Sequence, residues 1–474
     1  MLKNIIFTVF ILSIYSGTAQ NDNRVTYSLS DCIEIALNNN LDLKSAALKA
    51  KTSEVNFHQT RNEMLPTLNG NYDLGVSNGR SIDPYTNDII NQKLTFSNAG
   101  LGLDALVFNG FRLMNSIKRD RFQLKASEMQ TEEARQDLIL AVTLAYIQIL
   151  NGKDQVELAK SRLETTQQQL DRLHVLYKEE VGNPADYTDM QGQIAMDQMG
   201  VIIARNNQQE YVLKLLQLLN TDLDPNAQVT FDSFKGLVSS EKYPLTADQV
   251  FDESLQNLAT FKSKQFQINA AIFGIKAARG NYYPNVSLFG RLNTSFSSSA
   301  QSFTETGTIV RETGEFVDIN NDQYPVMRNE TQFDGTSIGY ADQFNNNFNS
   351  VFGVSVQIPI LNGFRAKNRV ALQKILKEES LIDFENTKLS FKQSIDQAYL
   401  KMESAYDRYF ILQDQVKAYE ESFRVNEIRF NNGVSNVVEY ITSKNNLDSA
   451  RLNLSNAKYE YLLRVKILDY YRGI

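Results

Sequence analysis

Cysteine, histidine, tryptophan and proline are all scarce in this chain of 474 residues, which has one Cys, two His, no Trp and eight Pro. A lone cysteine, Cys32, excludes a disulfide within the chain and every cysteine-cluster metal motif. His58 and His174 stand far apart, and neither has a second ligand three or four residues further on, so both read as solvated or packed helix residues. An excess of positive charge is missing too. Against 48 Lys and Arg stand 55 Asp and Glu, a net charge of −7, which argues against the basic stripe of a nucleic-acid binder. Carboxylates are plentiful, yet none is paired in a recognisable apolar pocket as general acid–base work would need. Gly100-Leu-Gly102 resembles half of a dinucleotide loop without a βαβ unit around it. Asp318-Ile-Asn320-Asn-Asp322 begins like a calcium loop, but Gln323 replaces its turn glycine and Asn329 its bidentate acid. No catalytic residue, cofactor or metal is expected.

What is present starts at the N-terminus. Lys3, an apolar run over 5–15 and small residues over 16–19 have the order of a cleavable secretory signal, and the run is too short to span a bilayer. Cys32 lies too far past the cleavage point to serve as a lipid anchor. The expectation is export without an N-terminal lipid.

The remainder reads as one plan used twice. A shift of 218 aligns Leu37, Lys44, Arg61 and Pro66 with Leu255, Lys262, Arg279 and Pro284. A shift of 253 aligns Phe-Asn-Gly-Phe-Arg at 108–112 with Leu-Asn-Gly-Phe-Arg at 361–365, and Asp186-Tyr187 with Glu439-Tyr440. The growth of the offset marks an insertion in the second copy. The division expected is a signal at 1–19, a first repeat at 20–220, a polar connector at 221–244 and a second repeat at 245–474.

In each repeat a long tract follows Asn-Gly-Phe-Arg. Residues 364–432 contain neither Gly nor Pro, a tract of 69 residues that as a helix would reach about 100 Å at ~1.5 Å per residue. Apolar residues recur there in steps of four and three, from Phe391, Ile395, Ala398, Met402 and Ala405 on to Phe423, a left-handed coiled-coil seam. The first copy keeps the seam from Leu138 to Leu170. A returning helix with Tyr440, Leu447, Leu454, Tyr461 and Leu468 seven apart predicts a long antiparallel helical hairpin in each copy.

Ahead of each hairpin the period falls to two. Leu68, Tyr72, Leu74 and Val76 alternate with Asn69, Asn71 and Asp73, and Val286, Leu288 and Leu292 with Ser287, Arg291 and Asn293. Ala99, Leu101, Leu103, Ala105 and Val107 share one face of a partner strand, and Phe352, Val354, Val356 and Ile358 one face of another. The four strands form two β-hairpins, at about 67–108 and about 285–360, the second carrying a long polar loop over 297–347. Each strand is about ten residues, enough to cross a bilayer as a tilted barrel strand. Four strands cannot close a barrel, and an open edge in lipid is prohibitively costly, so several chains must contribute: two would give eight strands, three would give twelve.

These residues resemble the TolC family of outer-membrane efflux proteins. The resemblance is carried by Leu-Pro-Thr-Leu at 65–68, Tyr-Pro-Asn-Val at 283–286, the duplicated Asn-Gly-Phe-Arg, and Arg-Phe-Asn-Asn-Gly-Val-Ser-Asn-Val-Val-Glu-Tyr at 429–440. It implies a mainly α protomer with transmembrane β, assembled as a homotrimer with a 12-stranded barrel in outer-membrane lipid and a 12-helix periplasmic tunnel. It implies a passive exit duct for efflux or type I secretion, with a periplasmic adaptor and an inner-membrane transporter as partners. Adaptor docking would fall at the helical tips, on Gly182 and Asn183 and on Asn432, Gly433, Val434 and Ser435. The family's gate carboxylate matches Glu439. Thr442 stands where a second acid is expected, and the first copy offers Asp186 and Asp189 with that spacing. Glu180 occupies the place of Gly433, which makes the first tip the less typical. The rival readings are a periplasmic coiled-coil scaffold or adaptor with soluble hairpins, and an adhesin built on 297–347. Nothing in these residues selects among drug, metal-ion and polypeptide cargo.

Overall fold

The computed structural model describes residues 26–82, 87–91, 93–221, 230–231 and 242–474. The signal at 1–19 and most of the connector lie outside the described residues. In chain order the elements are β1 (Thr26–Tyr27), α1 (Leu29–Asn39), α2 (Leu41–Asn62), β2 (Thr67–Ser77), β3 (Arg80–Ile82), β4 (Ile89–Asn91) and β5 (Leu94–Asn109), then α3 (Arg112–Lys178) and α4 (Pro184–Leu219). The second copy follows with β6 (Thr230–Phe231), α5 (Ala247–Asn257), α6 (Ala259–Arg279), β7 (Asn285–Ser297), β8 (Gln301–Ile319), β9 (Asp322–Ser337), α7 (Tyr340–Asn346), β10 (Asn349–Gln357), α8 (Arg365–Asn431) and α9 (Val437–Arg472). No described helix is long and apolar enough to cross a membrane.

The chain divides into two compact units, and each takes segments from both sequence copies. The first, 1–53, 124–267 and 380–474, is mainly helical over its described residues, with the short β1–β6 pair beside the helices. Two of its cores are the same construction built twice. Cys32 of α1 is wholly buried among Val142, Tyr146 and Ile149 of α3, Leu215 of α4 and Leu462 of α9. Val250 of α5, its counterpart under the 218 shift, is wholly buried among Ile395, Met402 and Ala405 of α8 and Leu468 of α9. Both short helices start from a capping box, Ser28 with Asp31 and Thr246 with Gln249, again 218 apart. The coiled-coil seam is the buried stripe: Ile149 and Ile395 are fully covered, as are Tyr440 and Leu468 nearly so. Gly152 takes one seam place because a Cβ there would lie 3.0 Å from the Tyr211 ring and 3.2 Å from the Gln208 Cα, so glycine lets α3 and α4 close up.

The second unit, 54–123 and 268–379, holds the sheet, four strands in the order β10-β7-β5-β2 and antiparallel throughout. The two hairpins share one register. Leu68 pairs Leu103 and Val286 pairs Val356, pairs that correspond under the two shifts. One detail of the alternation changes: a bulge between Leu106 and Phe108 sets Phe108, not Val107, opposite Val286, because the extra residue moves the side-chain phase by one. Both long helices of the unit start from a turn with two successive left-handed residues, Gly110 and Phe111 at φ 65° and 58°, and Gly363 and Phe364 at 60° and 59°. At Gly110 a Cβ would also meet the Gly280 carbonyl oxygen at 2.5 Å, which is why Asn-Gly-Phe keeps its glycine.

The 297–347 segment is not the loop that its composition predicts. It holds the antiparallel hairpin β8–β9, 19 and 16 residues long, and the short helix α7. Threonine, glutamate and asparagine mark a loop when they fill a segment, but on a ribbon with water along its length they fill strands equally well.

Candidate functional site

The sheet places its chemistry by alternation alone. On one face Leu68, Tyr72, Leu74 and Val76 of β2 stand in rows with Leu101 and Leu103 of β5, Leu288 and Leu292 of β7, and Phe352, Val354 and Val356 of β10. Large apolar side chains on this face are mostly exposed, Leu68 by 68% and Phe352 by 75%, which no protein in water would leave across four strands. The other face carries Asn69, Asn71, Asp73, Asn98, Asp104, Arg291, Asn293 and Asn349. There Arg291 reaches both carboxylate oxygens of Asp104 at 2.9 and 3.0 Å and donates to the Leu103 carbonyl at 3.0 Å. An apolar outside and a hydrated, charged inside are the two surfaces of a barrel strand in lipid around a water-filled lumen. Both edge strands, β10 and β2, pair on one side only among the described residues.

At the helical tips the two turns are built alike. Gly433 closes α8 at φ 70°, and the Val434 N–H bonds the Arg429 carbonyl at 2.8 Å. Glu180, in the same register of the first copy, takes φ 56°, while the Val181 and Gly182 N–H groups bond the Leu176 carbonyl at 3.2 and 3.1 Å. The change of residue type thus leaves a left-handed cap in place, with a Cβ carrying the strain that glycine avoids. Each turn is braced by equivalent stacked rings, Tyr177 on Tyr187 and Phe430 on Tyr440, with centroids 5.2 and 5.0 Å apart. Arg172 of α3 ties the two turns together through the Asn431 side chain and, at 2.5 Å, its carbonyl. Asn183 caps α4 through the Ala185 N–H at 3.1 Å, and Asn436 caps α9 through the Glu439 N–H at 2.9 Å. Gly433 and Val434 are exposed at the turn, Val434 by 67%.

The candidate gate acids keep to their own turns. Glu439 is exposed, in the first turn of α9, with the Arg429 guanidinium 3.9 Å away. Asp186 and Asp189 face one another in the first turns of α4. Burial raises the Asp186 carboxyl above the usual range, the negative charge of Asp189 adds to this, and the Asn183 side chain partly offsets both.

A third feature was not anticipated. Farther along the helices a neutral quartet of charges crosses the seam. Asp197 of α4, fully buried, accepts from Thr166 at 2.5 Å, Gln193 at 2.9 Å and Lys444 at 3.1 Å, and Arg162 Nε lies 2.6 Å from it. Lys444 of α9, 2% exposed, also reaches Asp448 at 2.9 Å. The signal was legible: Met190, Ile194, Asp197, Val201 and Ala204 follow steps of four and three, with a carboxylate at a seam position. Under the 253 shift the counterparts of Asp197 and Arg162 are Ala450 and Gln415, so the quartet belongs to one interface of the duplicated plan.

The duplication and the two surfaces match what is known of other chains. Residues 32–221 and 250–471 match the outer membrane efflux protein family, one match in each copy. The outer membrane protein TolC of Escherichia coli is 22% identical over 456 residues, covering 95% of this chain and 82% of its own. The toxin and drug export protein A of Aggregatibacter actinomycetemcomitans is 22% identical over 449 residues, covering 92% and 83%. In fold, the CmeC outer membrane channel of Campylobacter jejuni superposes with a TM-score of 0.74 at 16% identity, over 94% of this chain and 85% of that one. The chain therefore belongs to the outer membrane efflux protein family: it is an outer-membrane channel protein and no enzyme.

Proposed function

We propose that three copies of this chain close one barrel in the outer membrane and one helical tunnel below it, forming the passive exit duct of a tripartite efflux or type I secretion machine. The observation that supports this best is a set of partners that each copy lacks. Helix α6 packs on both long helices of its own chain, with Phe261 against Phe384 and Phe391 of α8 and Ser263 on the Ala126 carbonyl of α3. Its counterpart α2 buries no residue at all, and its Leu48 and Val55 are exposed by 65% and 58%. Gly110 is crowded at its turn whereas a Cβ at Gly363 would meet nothing within 4 Å among the described residues, and Ile360 and Leu361 beside it are almost wholly exposed. A neighbouring copy, placed by the same relation that joins the two repeats, fills each gap. Eight strands would leave an interior just wide enough for side chains, while the hydrated face with Arg291 and Asp73 calls for a wider lumen, which twelve strands give.

The same relation fixes the register of the joint. Leu101 pairs Leu292 inside the chain, so Val354 should stand opposite Leu74 of the next copy. Within one chain these residues lie on opposite edges of the sheet, three strand spacings or about 14 Å apart, beyond the reach of a disulfide. Oxidising outer membranes that carry the Val354→Cys, Leu74→Cys chain should yield covalently closed trimers on denaturing gels. Monomers alone, or ladders that end at two chains, would overturn the three-copy closure.

The tips dock a periplasmic adaptor, which couples the duct to an inner-membrane transporter. The exposed turn at 431–434 and its left-handed cap support this role, and the repeated backbone at 178–183 extends it to the first tip. Glu439, repeated by the three-fold axis, sets the charge of the periplasmic entrance.

A further inference from the structure

The helical end of the sheet carries a charge that the rest of the chain does not. Residues 58–63, 112–121, 272–281 and 362–374 surround the ends of α2, α3, α6 and α8 nearest the strands. There eleven Lys and Arg stand against two acids, Glu63 and Asp120, in a chain whose net charge is −7. Four large rings at the same level, Phe111, Tyr282, Tyr283 and Phe364, are each more than half exposed. Rings at the end of lipid-facing strands form the girdle of a bilayer surface, so the basic stretches begin at headgroup depth.

The contacts of α3 settle which way the cations turn. Asp120 accepts from Thr60 of α2 at 2.7 Å, and Phe122 stacks on Phe273 of α6 at 5.5 Å, so α2 and α6 flank α3 on opposite sides. Between these flanks Arg112, Ser116 and Arg119 line a cavity of about 450 Å³ together with Leu106, two residues on from Asp104 along the hydrated face of the sheet. That side of α3 is the lumen side. At about 100° per residue, Lys118 and Arg121 lie on the far side, which continues the lipid-facing surface of the strands. On α6 the same cavity is lined by Gly274 and Ala278, and Lys276, two residues from each, lies opposite it, with Arg279 one turn on. The repeat shifts add Arg61 of α2, the counterpart of Arg279, and Lys374 of α8, the counterpart of Arg121. Lys367 precedes Lys374 by two turns on the same face. All seven are exposed.

Nothing in the chain answers these charges. Arg119 and Lys377 pair with Asp120 and Glu378, whereas none of the seven outward cations forms an ion pair among the described residues. Lys118 and Lys276 even share one ring, with their ammonium groups 5.6 and 4.6 Å from the centre of Phe273. Two like charges beside one ring repel, and an anion seated between them would relieve the repulsion.

We propose that these seven side chains form a belt that binds the anionic phosphodiester headgroups of phospholipids in the periplasm-facing leaflet. Lys118 stands about 10 Å along the chain from Phe111 at ~1.5 Å per residue, and its long side chain can reach back to the headgroups. Spaced, mobile ammonium and guanidinium groups suit a layer of headgroups better than one enclosed ligand. The belt depends on the sheet standing in lipid and is independent of the tips and the gate.

The native chain, reconstituted in vesicles of phosphatidylcholine, tests this by electron spin resonance of spin-labelled lipids at its surface. Phosphatidylglycerol should be preferred over phosphatidylcholine several-fold at low salt, and the preference should fall as salt is added. The chain with Lys118→Gln, Arg121→Gln, Lys276→Gln and Arg279→Gln should lose most of it, and Lys118→Arg with Lys276→Arg should keep it. Arg112→Gln with Arg369→Gln, on the cavity side, should leave it unchanged. Equal affinity for the two lipids in the native chain, a preference that the fourfold variant keeps, or one that the cavity pair removes would overturn the belt. If the fourfold variant does not assemble, Lys118→Gln and Arg279→Gln should each lower the preference, and no change in either would overturn it as well. Displacement of the labelled lipid by inorganic phosphate at constant ionic strength would make this a site for soluble anions and overturn the lipid assignment.

Discussion

At the scale of single residues, the quartet around Asp197 decides how firmly α9 is held to α3 and α4. A buried charge is tolerable here only because each member is matched: two cations, two carboxylates, and Thr166 and Gln193 on the remaining lone pairs of Asp197. Lys444→Met should destabilise the solubilised protein by about 3–5 kcal/mol, the usual cost of removing one partner of a buried pair. Asp197→Leu with Lys444→Met should recover most of that loss. Thermal midpoints of the single and double variants check both statements, and an equal loss in the two would show that Lys444 acts by packing alone. Asp197→Leu also takes from Arg162 its partner at 2.6 Å and leaves it Asp448 at 3.4 Å, and Lys444→Met takes a cation from Asp448, so the recovery reports on the quartet as a whole.

At the scale of elements, the tips show how a turn is kept while its residues change. Glu180 and Gly433 differ in every chemical respect and share one backbone conformation, because the helix end needs a left-handed residue more than it needs a particular side chain. The first tip differs in its acids. Asp186 holds its proton more strongly in the folded chain than in the unfolded one, since burial and Asp189 both oppose its charge. As pH rises from the ordinary carboxylate range through the raised value, the unfolded chain loses its proton first, so the start of α4 should lose stability across that window and then level off. Hydrogen exchange of the 186–190 amides, corrected for intrinsic rates, should show falling protection over the window in the native chain and a flat profile in Asp186→Asn. A flat profile in both would remove Asp186 as a pH-sensitive group. The elements also separate what pattern reveals from what it hides. The 67-residue helices α3 and α8 were legible because nothing but a coiled-coil seam sustains steps of four and three for so long. The β8–β9 ribbon was not, because a strand wet along its length needs no apolar period, and its bulges break the alternation that would have betrayed it.

At the scale of the whole molecule, the proposed entrance would carry charges that symmetry multiplies. Glu439 occupies the third position of α9, beyond the Asn436 cap, where an acid also meets the positive end of the helix dipole. Conductance across planar bilayers separates the two roles. Glu439→Gln should weaken cation selectivity and the block by multivalent cations if the three acids ring the entrance, and should change neither if the acid serves only the helix. The sequence by itself determined the duplication, the long helical hairpins, the two-faced strands and the need for more than one chain, because each of these is a periodicity or a deficit of backbone partners that no tertiary contact can alter. Only the tertiary structure decided the rest. It gave the order β10-β7-β5-β2, the common register that predicts the joint between copies, the charge quartet inside the seam and the ribbon beyond the sheet. These depend on which residues meet across tens or hundreds of positions. Local periodicity sets the face a side chain takes and is silent about the partner it finds there.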